Sequence, residues 1–148
     1  MRKIGFLTIL LIAVYAVTAC CPCRKKVKNP LMLESNAWGL VELNSNQKIV
    51  REDNNSFVMR FDDAQSQVNG MAQCNNFFGS YEVLPQGKIK FGDMGVTRAM
   101  CQNMELEDDF LRTIADVNSY TIDGDVLLLL TNGEVVMIFN AIPAVKGE

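Results

Sequence analysis

The sequence predicts an α+β domain in which a strongly curved antiparallel β-sheet packs around a single α-helix. Three observations carry this. Apolar residues recur at a period of two in short runs divided by turn signals; one segment alone has the three-to-five-residue spacing of a helical stripe; and no helix separates successive strands, as parallel pairing would require.

Before the domain, residues 1–19 read as a leader: Arg2 and Lys3 precede a charge-free apolar run from Ile4 to Val17, too short and too N-terminal for a membrane span. The run ends in Val17-Thr18-Ala19-Cys20, which resembles the lipobox of bacterial lipoproteins and makes Cys20 the expected lipidated first residue of the mature chain. An ordinary secretory cleavage near Ala19 is the alternative. Residues 20–30 hold four basic side chains and two prolines, the composition of a tether whose charge suits anionic head groups.

Residues 31–148 form one domain, since about 110 residues suffice for a single core and no more. Its first strand is expected at Ala37–Leu43, followed by a polar turn at Asn44–Asn46, and a second places Phe57, Met59 and Phe61 on one face. Ser80–Leu84 and Lys88–Phe91 flank Pro85-Gln86-Gly87, a hairpin signal with a glycine free to take a positive φ. From Met104 to Val117 the stripe Leu106, Phe110, Leu111, Ile114, Val117 predicts the helix. Asn103 is its expected N-cap, with Glu105, Glu107, Asp108 and Asp109 facing the positive end of the helix dipole. Phe110 and Leu111 are the residues expected at the centre of the core. Ser119–Ile122 leads through an acidic turn at Asp123-Gly124-Asp125 into a closing hairpin, Val126–Leu130 and Val135–Phe139, joined across Asn132-Gly133.

The chain has no histidine, which removes the Ser-His-Asp and Cys-His constellations and most catalytic zinc sites. Asp62 and Asp63 are adjacent on a strand and point to opposite faces, a poor arrangement for paired carboxylate chemistry. The Asp123-Gly124-Asp125 turn lacks EF-hand ligand spacing. Of the 14 lysines and arginines, Arg2 and Lys3 leave with the leader, so 12 remain against 17 acidic residues, a net charge of about −5, and nucleic acid is not an expected partner. No catalytic residue, cofactor or metal site is expected.

The chemical question concerns Cys74, within Met71-Ala72-Gln73-Cys74-Asn75-Asn76-Phe77-Phe78-Gly79-Ser80-Tyr81, and Cys101. Outside the cytoplasm the two can pair, remain as buried thiols, or, with Arg98 close to Cys101, include a reactive thiolate. A bridge would close a loop of about 27 residues and stabilise by about 3 kcal/mol.

Taken together, Gly70, Cys74, Asn75, Phe77 or Phe78, Gly79 and Tyr81, followed by Met94, Thr97, Arg98, Ala99, Met100 and Cys101 ahead of an acidic helix, resemble the signatures of the META domain, the HslJ-like family of small exported bacterial proteins. Trp38 matches the family's opening strand. The resemblance implies an incomplete barrel around one helix and no established enzymatic activity or cofactor. It also implies an exported or lipid-anchored protein linked loosely with heat shock, antibiotic tolerance or secretion, with a fold like that of small pilot lipoproteins.

The expected function is accordingly a non-catalytic envelope lipoprotein, a monomer held to the membrane through Cys20, in the outer membrane of a Gram-negative bacterium, with an envelope protein as partner in a stress-related role. A carrier of an apolar ligand or acyl chain, suggested by Phe57, Met59, Phe61, Phe77, Phe78 and Leu127–Leu130, is the alternative. A thiol redox role is a minor one. In every case the Cys74 stretch is expected to be a structural corner, with Gly70 and Gly79 supplying backbone freedom.

Overall fold

The computed structural model describes residues 32–51, 53–101 and 104–142. The leader, Cys20, the tether and the N-cap expected at Asn103 lie outside them. The described strands are β1 (Ala37–Leu43), β2 (Gln47–Lys48), β3 (Val58–Asp62), β4 (Gln67–Met71), β5 (Asn76–Leu84), β6 (Lys88–Phe91), β7 (Gly95–Val96), β8 (Ser119–Asp123), β9 (Val126–Thr131) and β10 (Glu134–Ile142), with helix α1 (Glu105–Asp116) between β7 and β8.

All described pairings are antiparallel, and the strands follow the order β1-β3-β4-β5-β6-β8-β9-β10, with β10 returning to β1. The barrel of eight strands is therefore closed, where the family resemblance implied an incomplete one. Closure runs along β1 from Ala37 opposite Ile142 to Leu43 opposite Met137, with a register shift between Leu40 and Glu42. Such a shift bends a strand and increases its twist, which a small barrel needs. β2 pairs with the far end of β1, and β7 pairs with β5.

The circuit is thinnest between β6 and β8, which share one opposed pair, Lys88 and Ser119. Ile89 N–H adds a 3.3 Å hydrogen bond to Asn118 O. The β5–β6 connection is the anticipated turn, but Gln86 (φ 65°) takes a left-handed conformation alongside Gly87 (φ 71°). β4 and the first residues of β5 extend through the signature stretch, leaving only Ala72–Asn75 as the corner.

Alternation along the strands fills the interior with Trp38, Leu40, Met59, Phe77, Leu127, Leu129, Met137 and Phe139, each at 0–1% exposure. Phe57 joins them from outside β3, at φ 52°. Its N–H donates to Ala72 O and its carbonyl accepts from Leu40 N–H, so two neighbouring segments hold a conformation that an aromatic residue rarely adopts.

From the helix, Phe110 and Ile114 enter this core completely. The Phe110 ring meets Phe57 at 5.4 Å, Phe77 at 5.6 Å and Phe139 at 6.5 Å between centroids, all edge-to-face, the geometry that aromatic quadrupoles favour. Leu111, expected beside it at the centre, is only half-buried, because the core face of α1 runs through positions 107, 110 and 114. Replacing Phe110 with alanine is expected to cost about 4 kcal/mol, measured as a lower urea midpoint at unchanged slope; a loss below about 1 kcal/mol would show that the ring is not the keystone of the core.

Candidate functional site

Beyond β7 the chain continues, without assigned secondary structure and with no residue at positive φ, as a strap, Thr97–Cys101, beside the start of α1. What holds the strap is Asn75, which is 1% exposed. The β5–β7 ladder reaches as far as Thr97 N–H donating to Asn76 O at 3.0 Å. There the side-chain amide of Asn75 takes over from the backbone: Ala99 N–H donates to Asn75 Oδ1 at 2.6 Å, and Asn75 Nδ2 donates to Ala99 O at 3.0 Å. One amide thus presents to the strap the donor and acceptor that a further strand residue would present. Thr97 Oγ1 also donates to Oδ1, at 2.9 Å, and accepts from Asn76 N–H at 3.0 Å.

The second hydrogen of Asn75 Nδ2 goes to Glu107 Oε1 at 2.7 Å. Glu107 Oε2 accepts from Cys74 N–H at 2.7 Å and Asn75 N–H at 2.9 Å. Successive backbone N–H groups of the corner thus form a concave nest for an anion, and the helix fills it with a carboxylate. Glu107 is 1% exposed, so beyond the dipole role expected of the four acids at the helix start it is a buried partner of the corner. Burial pushes its carboxyl up, but hydrogen bonds from the Asn75 side chain and from the backbone of Asn75, Cys74 and Gln73 outweigh that and hold it below its ordinary value. All four hydrogen-bonding positions of the Asn75 amide are occupied, so asparagine is required here: aspartate cannot donate.

Cys74 and Cys101 are joined as a disulfide, with Cα atoms 6.4 Å apart. It ties the corner to the end of the strap, beside the amide contacts. Cys74 is half-buried and Cys101 exposed, so the pair does not sit in the core. Arg98 is exposed, among the residues that line a groove.

The remaining signature residues serve packing. Gly70 and Gly79 lie within β4 and β5 and supply space rather than turn freedom. A Cβ at Gly70 would strike Val58 O and the Phe77 ring, and one at Gly79 would lie 2.5 Å from Met94 Sδ. Tyr81 stacks edge-to-face on Phe61 at 5.0 Å and donates its hydroxyl to Glu34 at 3.2 Å. Burial, then the Glu34 charge, pushes its phenol up. Asp62 accepts from Gln65 N–H at 3.2 Å, capping a turn. Among the described residues, no group of three or more His, Cys, Asp or Glu side chains is placed to hold a metal.

Between the strap and the first two turns of α1 lies an open groove of about 530 Å³. Asn75 and Glu107 contribute to its lining, Met94, Val96, Met100, Met104 and Leu111 its apolar surface, and Arg98 and Asp108 its charges. Met100 is 98% exposed. Glu107 is the site residue that the sequence reading missed, yet a signal was present: it stands three residues before Phe110 and seven before Ile114, in the apolar stripe of the helix.

Residues 31–142 match the family model described as the META domain. Three solved structures share the fold. One, an NMR structure, aligns at 19% identity over 74% of this chain and 91% of that one, with a TM-score of 0.59. A second NMR structure, of a protein from Burkholderia xenovorans, aligns at 18% identity over 76% and 85%, also at 0.59. The crystal structure of a duf4847 family protein from Bacteroides vulgatus aligns at 14% identity over 74% and 94%, at 0.54. No curated protein matches the sequence.

Three outcomes are expected at this site. Asn75→Asp should destabilise the domain by about 3 kcal/mol in chemical unfolding, because it removes two donors and sets a second negative charge against Glu107. Since the folded carboxyl of Glu107 is held below the 4.5 of the free group, its contribution is fully present above that value and is lost as pH falls through the lower folded value. Glu107→Gln should therefore be less stable at neutral pH and show a flatter stability curve below pH 4.5; parallel curves would remove Glu107 from the acid transition. Separately, paired Cys74→Ser and Cys101→Ser replacements should cost about 3 kcal/mol, read against the oxidised protein in the same denaturant series.

Proposed function

The chain belongs to the META domain family, and on that premise we propose that it is a non-catalytic, lipid-anchored binding module of the cell envelope, whose recognition surface is the groove between the strap and α1. The groove carries this reading. It combines an accessible apolar surface and two opposite charges with a floor whose amide and carboxylate are already satisfied by internal hydrogen bonds. A floor of that kind supports shape and leaves no free acid, base or nucleophile in that pair to act on a substrate. Three methionines on one surface suit a polypeptide partner, because their unbranched, polarizable side chains adapt to irregular apolar shapes.

The leader and Cys20 support lipid anchoring, and the basic tether would hold the domain close to a membrane, with the outer membrane of a Gram-negative bacterium as the proposed location. A stress-related role and a monomeric state belong to the same reading. Most of the apolar residues that suggested a carrier are otherwise engaged: Phe57, Met59, Phe61, Phe77, Leu127 and Leu129 are in the core, whereas Leu128 and Leu130 are half-buried and Phe78 is 57% exposed. A redox role for the cysteines has no separate observation in its favour.

The test is photo-crosslinking in intact envelopes from a reactive side chain at position 100, with position 78 as the control. A defined envelope protein captured from position 100 and not from 78 is expected, and Cys20→Ala should shift the protein out of the membrane fraction. Equal capture from both positions, or none from either, would rule out the groove as the recognition surface.

A further inference from the structure

The groove wall formed by the strap is also an unpaired strand edge. This inference rests on the binding-module reading and specifies how the partner is held. In an extended strand the backbone groups of successive residues point to opposite edges. The Thr97 N–H and both backbone groups of Ala99 point inward, to Asn76 and to the Asn75 amide. Val96, Arg98 and Met100 therefore direct theirs to the other edge. Among the described residues, Arg98 and Met100 have no backbone hydrogen bond, and β7 pairs with no strand other than β5.

Folded proteins usually protect such an edge with proline, a bulge or a covering element, because it is a template for another strand. Residues 96–100 contain no proline, and among the described residues no strand pairs with this edge. It lines the groove, facing a helix whose first turn carries Glu105, Glu107 and Asp108. Among the described residues only Glu107 of these is consumed internally, leaving Asp108 and Arg98 as the charges that line the groove. The walls thus differ in charge across a groove with exposed apolar surface, and an occupant between them must answer both.

We propose that the Val96–Met100 edge accepts an extended segment of a partner protein as an added antiparallel or parallel β-strand. Backbone hydrogen bonds to Arg98 and Met100 supply register, apolar side chains at alternate positions cover Met94, Met104 and Leu111, an acidic side chain reaches Arg98 and a basic one reaches Asp108. Affinity drawn from the main chain and specificity drawn from alternate side chains is the general pattern of strand addition. A groove of 530 Å³ is of the size that encloses a few side chains, not a folded domain.

Proline separates this mechanism from simple charge attraction. Arg98→Ala removes the side chain and keeps the outward N–H; Arg98→Pro removes both, without breaking an internal hydrogen bond, since the Arg98 N–H makes none among the described residues. The probe is a synthetic peptide of about eight residues alternating leucine with glutamate and lysine, long enough for one strand. It is titrated by amide NMR into the mature chain, beside a copy whose alternate backbone nitrogens are methylated. The Arg98 and Met100 amides should shift first and exchange more slowly. Arg98→Ala should weaken binding about tenfold and reduce its salt dependence. Arg98→Pro and the methylated peptide should abolish the response, with unfolding curves showing the variants intact.

Equal binding of the methylated peptide, equal behaviour of the two variants, shifts confined to another surface, or no shift at millimolar peptide would each overturn strand addition. Shifts in the same amides that grow with protein concentration alone would assign the edge to a second copy of this chain and overturn the assignment to a different partner. The broader reading fails separately: crosslinking from position 100 that survives Arg98→Pro retains a binding module without strand addition, whereas loss of all specific crosslinks removes both.

Discussion

The contact between Glu107 and the Asn75 corner constrains the rest of the molecule. A carboxylate taken out of water is costly unless its oxygens are met by donors, and here the donors are backbone groups of the corner together with the Asn75 amide. That arrangement fixes three separate pieces of chain at once: the β4–β5 corner, the first turn of α1 and, through the second half of the same amide, the strap. Three residues along the helix, Phe110 is thereby delivered into the aromatic centre of the barrel. Polar fixation at one end of α1 and apolar packing along it are parts of one docking event.

The disulfide acts at the same junction by different physics. The amide contacts lower the energy of the folded arrangement, while the Cys74–Cys101 bond removes freedom from the unfolded chain. Their adjacency means that the strap has two independent reasons to stay in place, although it has little apolar burial of its own: Thr97, Arg98, Ala99, Met100 and Cys101 are all exposed. An exposed segment held this firmly makes a rigid groove wall, and rigidity lowers the ordering cost of any association that uses it.

Much of this was legible in the sequence because it is local. Period-two runs located β1, β9 and β10, the Asn-Gly turn located the last hairpin, and the stripe from Leu106 to Val117 located the helix. What escaped was non-local or depended on exchanged partners. The closing pair β1–β10 joins opposite ends of the domain, and no local pattern encodes it. Gly70 and Gly79 were read as hinges because glycine permits unusual dihedrals, yet each is needed for the room it leaves to Phe77 or Met94. Glu107 was grouped with its acidic neighbours when its place in the apolar stripe set it apart. Asn75 stands out in the sequence as a signature residue, but its partners, Ala99 and Glu107, lie 24 and 32 residues away.

The pairing of β1 with β10 also governs the order of events as the chain acquires its structure. Trp38 lies opposite Ala141, so the first strand has no partner on that edge until about 100 further residues exist, a contact of very high sequence separation. During synthesis or threading from the N-terminus, hairpins such as β3–β4 and β4–β5 can form early, but the ring stays open with β1 as an apolar, half-paired edge. The domain thus becomes a barrel only when its last strand arrives, and until then β1 leaves an apolar strand edge open, the kind of surface that makes unfinished chains prone to aggregate.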